Sequence, residues 1–417
     1  MAAWPIKRMD QLCEITSSKR IFAADYVSEG VPFYRGREVT EKYKGNLDVS
    51  TELFITEEKF AEIERKFGAP KLGDLLLTSV GTLGSVYVVK SGDRFYFKDG
   101  NLTWFRNFKG LDSQFLFYWI GSPQGKAELQ KCTIGSSQSA FTIVLLKGME
   151  IELPPLPVQQ RIAGILSAYD ELIENSQRRI KILEAMARGL YREWFVHFRF
   201  PGHENHPRVA SALGEIPQGW DVKTFGELYN TGSGGTPSRA RPEYFMDGTI
   251  DWVKSQELLD GFVLSTEERI TERAILESSA KLFPANSVLV ALYGATIGKL
   301  AILSRDAATN QACCAVLPKL KSFGREFAYL TLFVNREKII SMRLGAAQQN
   351  ISQVLLKGLE CLKPKDEIAS HFSKVTSPFF DEILVLQRQI QNLRRTRDLL
   401  LPRLLSGQIN VEAAEHV

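Results

Sequence analysis

The longest regular pattern of apolar positions lies between residues 157 and 195, in PVQQRIAGILSAYDELIENSQRRIKILEAMARGLYREWF. Its positions step by three and four without a slip, the heptad spacing that keeps one stripe of a helix against a partner helix. The stripe consists of Leu166, Tyr169, Ile173, Ser176, Ile180, Leu183, Ala187, Leu190 and Trp194, of which Ser176 is polar. Such a helix would be roughly 55 Å long. The pattern predicts a spacer or dimerisation helix, with a buried helix of a large domain as the alternative.

The residues on either side of this helix show a different pattern. Residues 1 to about 150 alternate short apolar runs with turns, for example VPFYRGREV, GDLLLTSVGTLGSVYVV and RFYFKDGNLTWF, which predicts a mixed domain with a substantial sheet. Residues 196–219 are rich in Pro, Gly and His without a sustained period, which is typical of a linker. The pattern then begins again, because GWDVKTFGELYN echoes the opening AWPIKRMDQLCEI.

The echo extends over most of the chain. GSSQSAFTIVLLKGMEIELP aligns with GAAQQNISQVLLKGLECLKP at an offset of 210, with Leu145 opposite Leu355, and VPFYRGREV aligns with IDWVKSQEL. The same offset places a second apolar stripe near the C-terminus, at Phe379, Ile383, Leu386, Ile390, Leu393, Leu400 and Leu404, interrupted at Thr376 and Arg397. A repeat this long indicates a tandem duplication of whole domains.

The duplication predicts an α+β fold, in which two pseudo-repeated globular domains are separated by two long helices forming an intramolecular antiparallel coiled coil. We expect domains at 1–154 and 219–364, helical spacers at 155–198 and 365–417, and a linker at 199–218. Ser377 and Pro378 resemble a helix start, which predicts a separate short helix over 366–375. Pro402 is expected to disturb the last turn.

Composition narrows the class of protein. The 417 residues, 44% hydrophobic and 24% charged, are enough for two or more domains. The N-terminus lacks the apolar run of a signal peptide and no stretch approaches a membrane span, so a cytoplasmic protein is expected. Five cysteines without a CxxC pair indicate buried, reduced thiols. The net charge of +4 leaves the partner undecided.

Catalytic motifs are not found. The segment GATIGKL, from Gly294 to Leu300, has three residues between its glycines and Leu in place of Ser or Thr, so a strand-turn-strand is favoured over a phosphate-binding loop. His197, His203 and His206 lack a cysteine or carboxylate at ligand spacing, and no metal is expected. GxSxG, HExxH, GxGxxG and methyltransferase motifs are missing as well. A binding protein is favoured.

Polar loops with basic and amide side chains recur in both halves. Arg reads guanine, Gln and Asn read adenine, and Gly, Ser, Thr and Lys hold phosphates, so these loops predict a base-reading surface, with solvated turns as the alternative. The candidates in the first half are Lys19, Arg20, Arg35, Arg37, Lys42, Lys44, Thr82, Asn101, Ser136, Ser137 and Gln138. Those in the second half are Ser233, Gly235, Thr236, Ser238, Arg239, Arg241, Lys254, Ser255, Gln256, Tyr293, Thr296, Lys299, Asn310, Gln311, Gln348, Gln349 and Asn350.

The full chain resembles the specificity subunits of type I restriction-modification systems. The resemblance rests on LPPLPVQQRIAGIL before the first long helix, the GGTPS loop followed by IDWVKSQEL, the LYGATIGK turn, and the tandem domain-helix plan. It departs in the first half, where KRIFAADYVSEG replaces a GGTPS-type loop, and at LKPKDEIASHF before the second helix. These departures leave a transfer of individual DNA contacts to the first domain open.

The resemblance implies a non-catalytic subunit. Each globular domain would be a target recognition domain reading half of a bipartite double-stranded DNA sequence, while the helices set the spacer and dock modification (methyltransferase) subunits, two of them expected. S-adenosylmethionine, ATP and magnesium would be used only by the modification and restriction/translocase subunits, and this chain would need no cofactor. The alternatives are an enzyme with unrecognised motifs and a coiled-coil adaptor with two protein-binding domains.

Overall fold

The computed structural model describes residues 4–46, 49–135, 139–343 and 350–411. The chain forms two compact units: unit 1 comprises Met1–Asn175 with Gln391–Val417, and unit 2 comprises Ser176–Ile390. There are two helices of 40 residues, α7 (Leu156–Phe195) and α13 (Asp366–Leu405). One part of each helix belongs to unit 1 and the other part belongs to unit 2. The predicted long helix is confirmed. The sequence predicts both helices as segments separate from the globular domains. In the structure, each part of a helix belongs to the unit that it packs against.

Unit 1 contains short helices and strands ahead of α7. The helices are α1 (Met9–Leu12), α2 (Gly36–Tyr43), α3 (Glu57–Phe67), α4 (Ser113–Gly121), α5 (Pro123–Lys131) and α6 (Ile143–Lys147). The strands are β1 (Ile6–Arg8), β2 (Glu14–Thr16), β3 (Tyr26–Val27), β4 (Val31–Tyr34), β5 (Phe54–Ile55), β6 (Leu75–Thr78), β7 (Val86–Val88), β8 (Tyr96–Phe97), β9 (Leu102–Arg106), β10 (Thr133–Ile134), β11 (Ala140–Phe141) and β12 (Glu150–Glu152).

The strands of unit 1 form two four-stranded sheets and two small ladders. One sheet has the order β2-β9-β6-β7 and is antiparallel, while the other has the order β3-β5-β4-β8 and contains the parallel pair β4 and β8. Strand β6 is buried throughout, which explains why its first three residues are all leucine and do not alternate with polar residues. Its residues Leu75 and Leu77 share a core with Phe115 of α4 and Leu166 of α7.

Unit 2 repeats this plan with additions. Its helices are α8 (Phe225–Leu228), α9 (Glu272–Glu277), α10 (Arg325–Val334), α11 (Arg336–Ser341) and α12 (Gln353–Lys357). Its strands are β13 (Arg208–Ser211), β14 (Gly214–Pro217), β15 (Asp221–Thr224), β16 (Tyr229–Ser233), β17 (Ile250–Val253), β18 (Gly261–Val263), β19 (Arg269–Ile270), β20 (Leu282–Phe283), β21 (Val288–Ala291), β22 (Leu300–Leu303), β23 (Ala307–Thr309), β24 (Cys313–Pro318) and β25 (Glu360–Lys363).

The sheets of unit 2 correspond to those of unit 1. The order β16-β24-β21-β22-β18 matches β2-β9-β6-β7 with one extra strand, and β19-β17-β23-β20 again contains a parallel pair, β17 and β23. Individual bonds repeat as well. The amide of Met9 donates to the carbonyl of Met149 at 2.9 Å, and that of Phe225 donates to the carbonyl of Leu359 at 2.8 Å. The predicted duplication is therefore confirmed at the level of hydrogen bonds.

The predicted apolar stripes of both helices are buried or half-buried. In unit 1, Leu166 and Leu404 lie in one core, and Asp170 of α7 forms an ion pair with Arg397 of α13. In unit 2, Arg179 pairs with Glu382, and further along the rings of Trp194 and Phe372 are 5.6 Å apart. Because the number of the α13 partner falls as that of the α7 residue rises, the helix segments run antiparallel within each unit.

The prediction of a break near Pro378 is wrong. Helix α13 is continuous from Asp366 to Leu405, with Pro378 exposed in its interior and Pro402 within its last turn. The flanking side chains explain this, since Phe372 and Phe380 are 0% and 4% exposed in the core of unit 2. Burial of two aromatic side chains, each contributing about 1.5–3 kcal/mol, outweighs the roughly 3 kcal/mol that an interior proline costs a helix.

The expected linker is not wholly irregular. Strands β13 and β14 form a hairpin whose register pairs Arg208 with Pro217 and Ser211 with Gly214. Strands of four residues are too short to show a period in the sequence, which is why the pattern missed them. By contrast, the strand-turn-strand prediction is confirmed, because β21 and β22 pair antiparallel on either side of the turn at Gly294.

We expect Pro378→Ala to raise the free energy of unfolding by about 1–3 kcal/mol, because alanine restores an amide donor opposite the carbonyl of Lys374. Urea denaturation followed by circular dichroism at 222 nm measures the change. Ser377→Ala, next to it in the same helix, is the matched control and should shift stability by no more than about 0.5 kcal/mol. Equal stability of Pro378→Ala and the wild type would contradict the proposed cost of this proline.

Candidate nucleic-acid interface

The glycine-rich loop after β16 packs closely against strand β23. A Cβ atom at Gly234 would lie 1.9 Å from the carbonyl oxygen of Thr309, and one at Gly235 would lie 2.3 Å from Oγ of Ser279. Only glycine fits at either position. The amide of Gly235 donates to the Thr309 carbonyl at 3.0 Å, and its carbonyl accepts from Nε1 of Trp252 at 3.1 Å. The loop is thereby fixed onto the sheet, with Thr236 and Ser238 exposed after it.

Several predicted residues of unit 2 gather beside this loop. The hydroxyl of Thr236 bonds the side-chain amide of Gln311, and both residues are exposed. The amide of Asn310 donates to the carbonyl of Val253 at 2.9 Å, directly before Lys254. Tyr293 and Asn350 form an isolated backbone bridge. Hydroxyl, amide and phenol groups from distant parts of the chain therefore lie on adjoining segments.

One carboxylate holds two predicted cations of unit 2. Glu268 accepts two hydrogen bonds from the guanidinium of Arg239, at 2.6 and 3.0 Å, and one from Nζ of Lys254 at 3.0 Å. The hydrogen bonds from Arg239, followed by those from Lys254, lower the pKa of Glu268 to about 2. Arg239 also lies over the ring of Phe245, 4.4 Å from its centroid, so its orientation is fixed from two sides.

Unit 1 holds two arginines around a buried carboxylate. Glu38, 0% exposed, accepts from the backbone amide of Arg35 at 2.7 Å and from Nε of Arg37 at 3.0 Å, with the Arg35 guanidinium at 3.4 Å. The same backbone bond recurs in unit 2, where Glu257 accepts from the amide of Lys254 at 2.7 Å. The alignment of Arg35 with Lys254 and of Glu38 with Glu257 is thus confirmed.

Other predicted segments of unit 1 adjoin these arginines. The amide of Lys98 donates to the carbonyl of Tyr34 at 2.9 Å, as Asn310 does to Val253 in unit 2. The amide of Ser79, at the start of the turn that contains Thr82, donates to the carbonyl of Asn101 at 2.8 Å. Arg20 donates to Asp99 at 2.8 Å. The N-terminus of α2, the β6–β7 turn and the loop before β9 therefore form neighbouring parts of one surface.

Three predicted cations, Lys299, Arg241 and Lys42, contact acidic or aromatic side chains other than Glu38 and Glu268. Lys299 pairs with Asp260, which also binds Arg336 of α11, and Arg241 pairs with Glu277 at 3.0 Å. Nζ of Lys42 lies over the rings of Tyr34 and Tyr87, at 5.6 and 4.7 Å from their centroids.

The remaining predicted residues differ in exposure. Ser255 is 6% exposed, which disfavours a direct role at the surface. Lys44, which caps the C-terminus of α2, pairs with Glu41 at 3.1 Å. Lys19 is exposed, as are Ser238 and Gln256, whereas Ser233 and Thr296 are half-buried. Ser136, Ser137, Gln138, Gln348 and Gln349 lie outside the described residues. For all these side chains, contact with DNA stays a prediction.

Sequence reasoning missed the residues that organise the loops. Gln353 of α12 donates to Oγ of Ser233 at 2.6 Å and accepts from the hydroxyl of Thr231 at 3.3 Å. Glu268 lies 29 residues from Arg239, and nothing in a local pattern links them. Glu38 follows Arg35 by three residues, and this capping-box spacing was a usable signal for its role.

The cysteine and histidine side chains are the other reactive groups within residues 4–46, 49–135, 139–343 and 350–411. All five cysteines are free and buried, as predicted, and burial raises the pKa of the Cys13, Cys314 and Cys361 thiols to about 12. The imidazoles of His203 and His206 each bond a backbone carbonyl at 2.8 Å. Among the described residues no group of three or more His, Cys, Asp or Glu side chains could hold a metal ion. Over these ranges, no helix combines the length and apolar character that a membrane crossing requires.

Comparison with known proteins defines the family. Residues 1–185 and 217–393 match the family described as type I restriction modification DNA specificity domain. The chain is 26% identical to the type I restriction enzyme MjaIX specificity subunit of Methanocaldococcus jannaschii, covering 98% of this chain and 94% of that one. It is 24% identical to the HindI specificity subunit of Haemophilus influenzae, covering 71% and 77%.

A solved structure shows the same fold. The S subunit of a type I restriction-modification system from M. genitalium superposes with a TM-score of 0.64 at 17% identity, covering 96% of both chains. The chain therefore belongs to the family of type I restriction-modification DNA specificity subunits, and its two matched segments fall on the two halves of the duplication.

The ion pairs of Glu268 should make stability depend on pH. The folded pKa of about 2 lies below the ordinary value of 4.5, so the pairs stabilise the fold above pH 4.5 and this contribution is lost as the pH falls towards 2. We expect Glu268→Gln to lower the free energy of unfolding by about 0.5–1 kcal/mol at pH 7. The effect is small because Arg239 is 57% exposed and solvent weakens the ion pair.

Urea titrations of wild type and Glu268→Gln at pH 7, 4 and 3 measure this difference, which should shrink with each step. Glu337→Gln removes an exposed carboxylate of unit 2 and serves as the control. A wild-type advantage that stays constant or grows at pH 3 would contradict the assignment.

Proposed function

We propose that this chain reads a bipartite double-stranded DNA target, one half with each unit. The observation that supports this most directly is the repetition of the same loop arrangement in both units. Each places cationic and amide side chains beside a parallel strand pair, with matched bonds from Lys98 to Tyr34 and from Asn310 to Val253 at 2.9 Å. In this role, the guanidinium and amide groups contact base edges, while lysines and loop amides contact phosphates.

In this proposal the helices α7 and α13 determine the length of the unread spacer. A helix of 40 residues is about 60 Å long, and pairing through a heptad seam gives it a stiffness that a Gly/Ser linker lacks. The outward faces of the helices, which include the exposed residues Arg178 and Lys181, would dock the modification subunits. We propose two such subunits, one for each half of the duplication.

Catalysis is assigned in this proposal to the partner subunits. Methyl transfer from S-adenosylmethionine would reside in the modification subunits, and ATP- and magnesium-dependent translocation with cleavage in the restriction subunits. The chain itself would bind no cofactor and would act in the cytoplasm. Its contribution is to select the site at which the assembled complex works.

Detection of methylated bases by long-read sequencing tests this proposal. The chain is co-expressed with a modification subunit in a host lacking other methylases of this class, and the modified motif is read from the host genome. We expect two short half-sites separated by a spacer of constant length. Methylation without a sequence motif would contradict it, and methylation by the purified chain alone would support the enzyme alternative instead.

The role of the helices predicts that the spacer follows their length. We expect insertion of one heptad after Ser176, with a second after Ile390 to keep the seam in register, to lengthen the spacer by about three base pairs. Both half-sites should remain unchanged, because the insertions fall where each helix passes from one unit to the other. The control carries the α7 insertion alone. The seven added residues then have no counterpart in α13, so the two apolar stripes no longer match along their length and the extent of methylation should fall. Recovery of the original spacer would refute this role.

A further inference from the structure

Each unit contains two cationic side chains bridged by one carboxylate, and one cation of each pair has the same place in the repeat. Cation pair 1 consists of Arg35 and Arg37, bridged by Glu38 in unit 1. Cation pair 2 consists of Arg239 and Lys254, bridged by Glu268 in unit 2. Lys254 occupies the position that Arg35 has in unit 1, directly after the strand of the parallel pair.

We propose that Glu38 and Glu268 are positioning residues for DNA recognition, each holding its cation pair in the orientation that binding requires. This inference rests on the proposed function. A long cationic side chain loses rotamer freedom when it binds, and a bridging carboxylate removes that freedom before DNA arrives. The cost is one negative charge close to the phosphates, which weakens general attraction to DNA. The arrangement therefore favours sequence discrimination over affinity.

The geometry of cation pair 1 fits this role. Glu38 is fully buried, while the side chains of Arg35 and Arg37 are 36% and 52% exposed. A buried carboxylate is tolerated only with strong partners, so the two guanidinium groups cannot turn away without leaving its charge uncompensated. Arg37 is fixed a second time through a bond of 3.2 Å to the carbonyl of Ser50. The arginines thus remain accessible to a ligand but are not free to reorient.

Cation pair 2 reaches the same result with different residues. Arg239 is held by both oxygens of Glu268 and by stacking on Phe245, and its side chain is still 57% exposed. Lys254 is additionally held by Glu267. The carboxylate comes from the segment before β19 instead of from the capping position, where Glu257 has only the backbone role. The two units, whose sequences have diverged, thus both hold two cationic side chains on one carboxylate, although the carboxylate and one of the cations come from different positions.

Substitution by glutamine separates positioning from folding. In Glu38→Gln, the amide oxygen can still accept from the backbone amide of Arg35, so the helix cap is kept. Its NH2 group then faces the guanidinium groups, which lose their acceptor. We expect Glu38→Gln and Glu268→Gln each to bind scrambled DNA more tightly, with a steeper salt dependence by about one released cation. The preference for the correct half-site should fall about tenfold.

The experiment uses the full chain assembled with its modification subunits. Binding is measured at several salt concentrations with three duplexes: the motif methylated in cells, and the same duplex with one or the other half-site scrambled. Glu38→Gln should relax discrimination in one half-site and Glu268→Gln in the other. Glu62→Gln, whose carboxylate pairs with Lys66 at 2.8 Å, and Glu337→Gln change the net charge equally and should leave discrimination intact.

The outcomes distinguish this inference from a structural role. The inference would be overturned if a glutamine variant lost affinity equally for the specific and scrambled duplexes. It would also be overturned if the ratio of the two affinities matched that of the control variants. Either result leaves the proposed function standing. In an Arg35→Ala, Arg37→Ala background, adding Glu38→Gln should cause no further loss of discrimination, and an additional loss would also overturn it. Should Glu38→Gln fail to fold, Glu268→Gln tests the same inference at a more exposed carboxylate. A wild-type complex that prefers none of the duplexes would refute the proposed function itself.

Discussion

The burial of the apolar stripes on α7 and α13 is the constraint on which the rest of the structure depends. Each stripe is longer than any one core, and different parts of it are buried in different units: Leu166 lies in the core of unit 1, whereas Ala187 and Ile383 lie in that of unit 2. A helix that must bury one face over 40 residues cannot be interrupted cheaply. This explains why α13 continues through Pro378 and why Ser176 and Thr376 are tolerated in buried positions.

The two units of the duplication share a framework of backbone hydrogen bonds but carry different side chains on it. Matching backbone bonds, such as those of Met9 and Phe225, preserve the geometry of each unit, and a backbone bond is indifferent to the side chain beside it. The loops are free to differ within that geometry. Unit 2 has a glycine loop packed against Thr309 where unit 1 has an unrelated sequence, and yet both hold cationic side chains around a carboxylate.

The same division explains which parts of the site could be predicted from the sequence. The recurrence of basic and amide residues indicated loops that the structure brings close together within each unit, because residue type alone indicates hydrogen-bonding capacity. It could not separate the accessible cations from those engaged elsewhere. Lys299, bound to Asp260, and Lys42, packed between Tyr34 and Tyr87, look no different in sequence from Arg37. Their partners lie 39, 8 and 45 residues away, beyond any local pattern.

The sequence by itself determined the long first helix, the heptad seam, the tandem repeat and the family, since each is a periodic or recurring feature of residue type. Only the tertiary structure decided the continuity of α13, the hairpin after α7 and the carboxylates that fix the cations. The physical reason is the same in each case. A proline, a four-residue strand or a lone glutamate has several acceptable local conformations, and packing against residues far along the chain selects one of them.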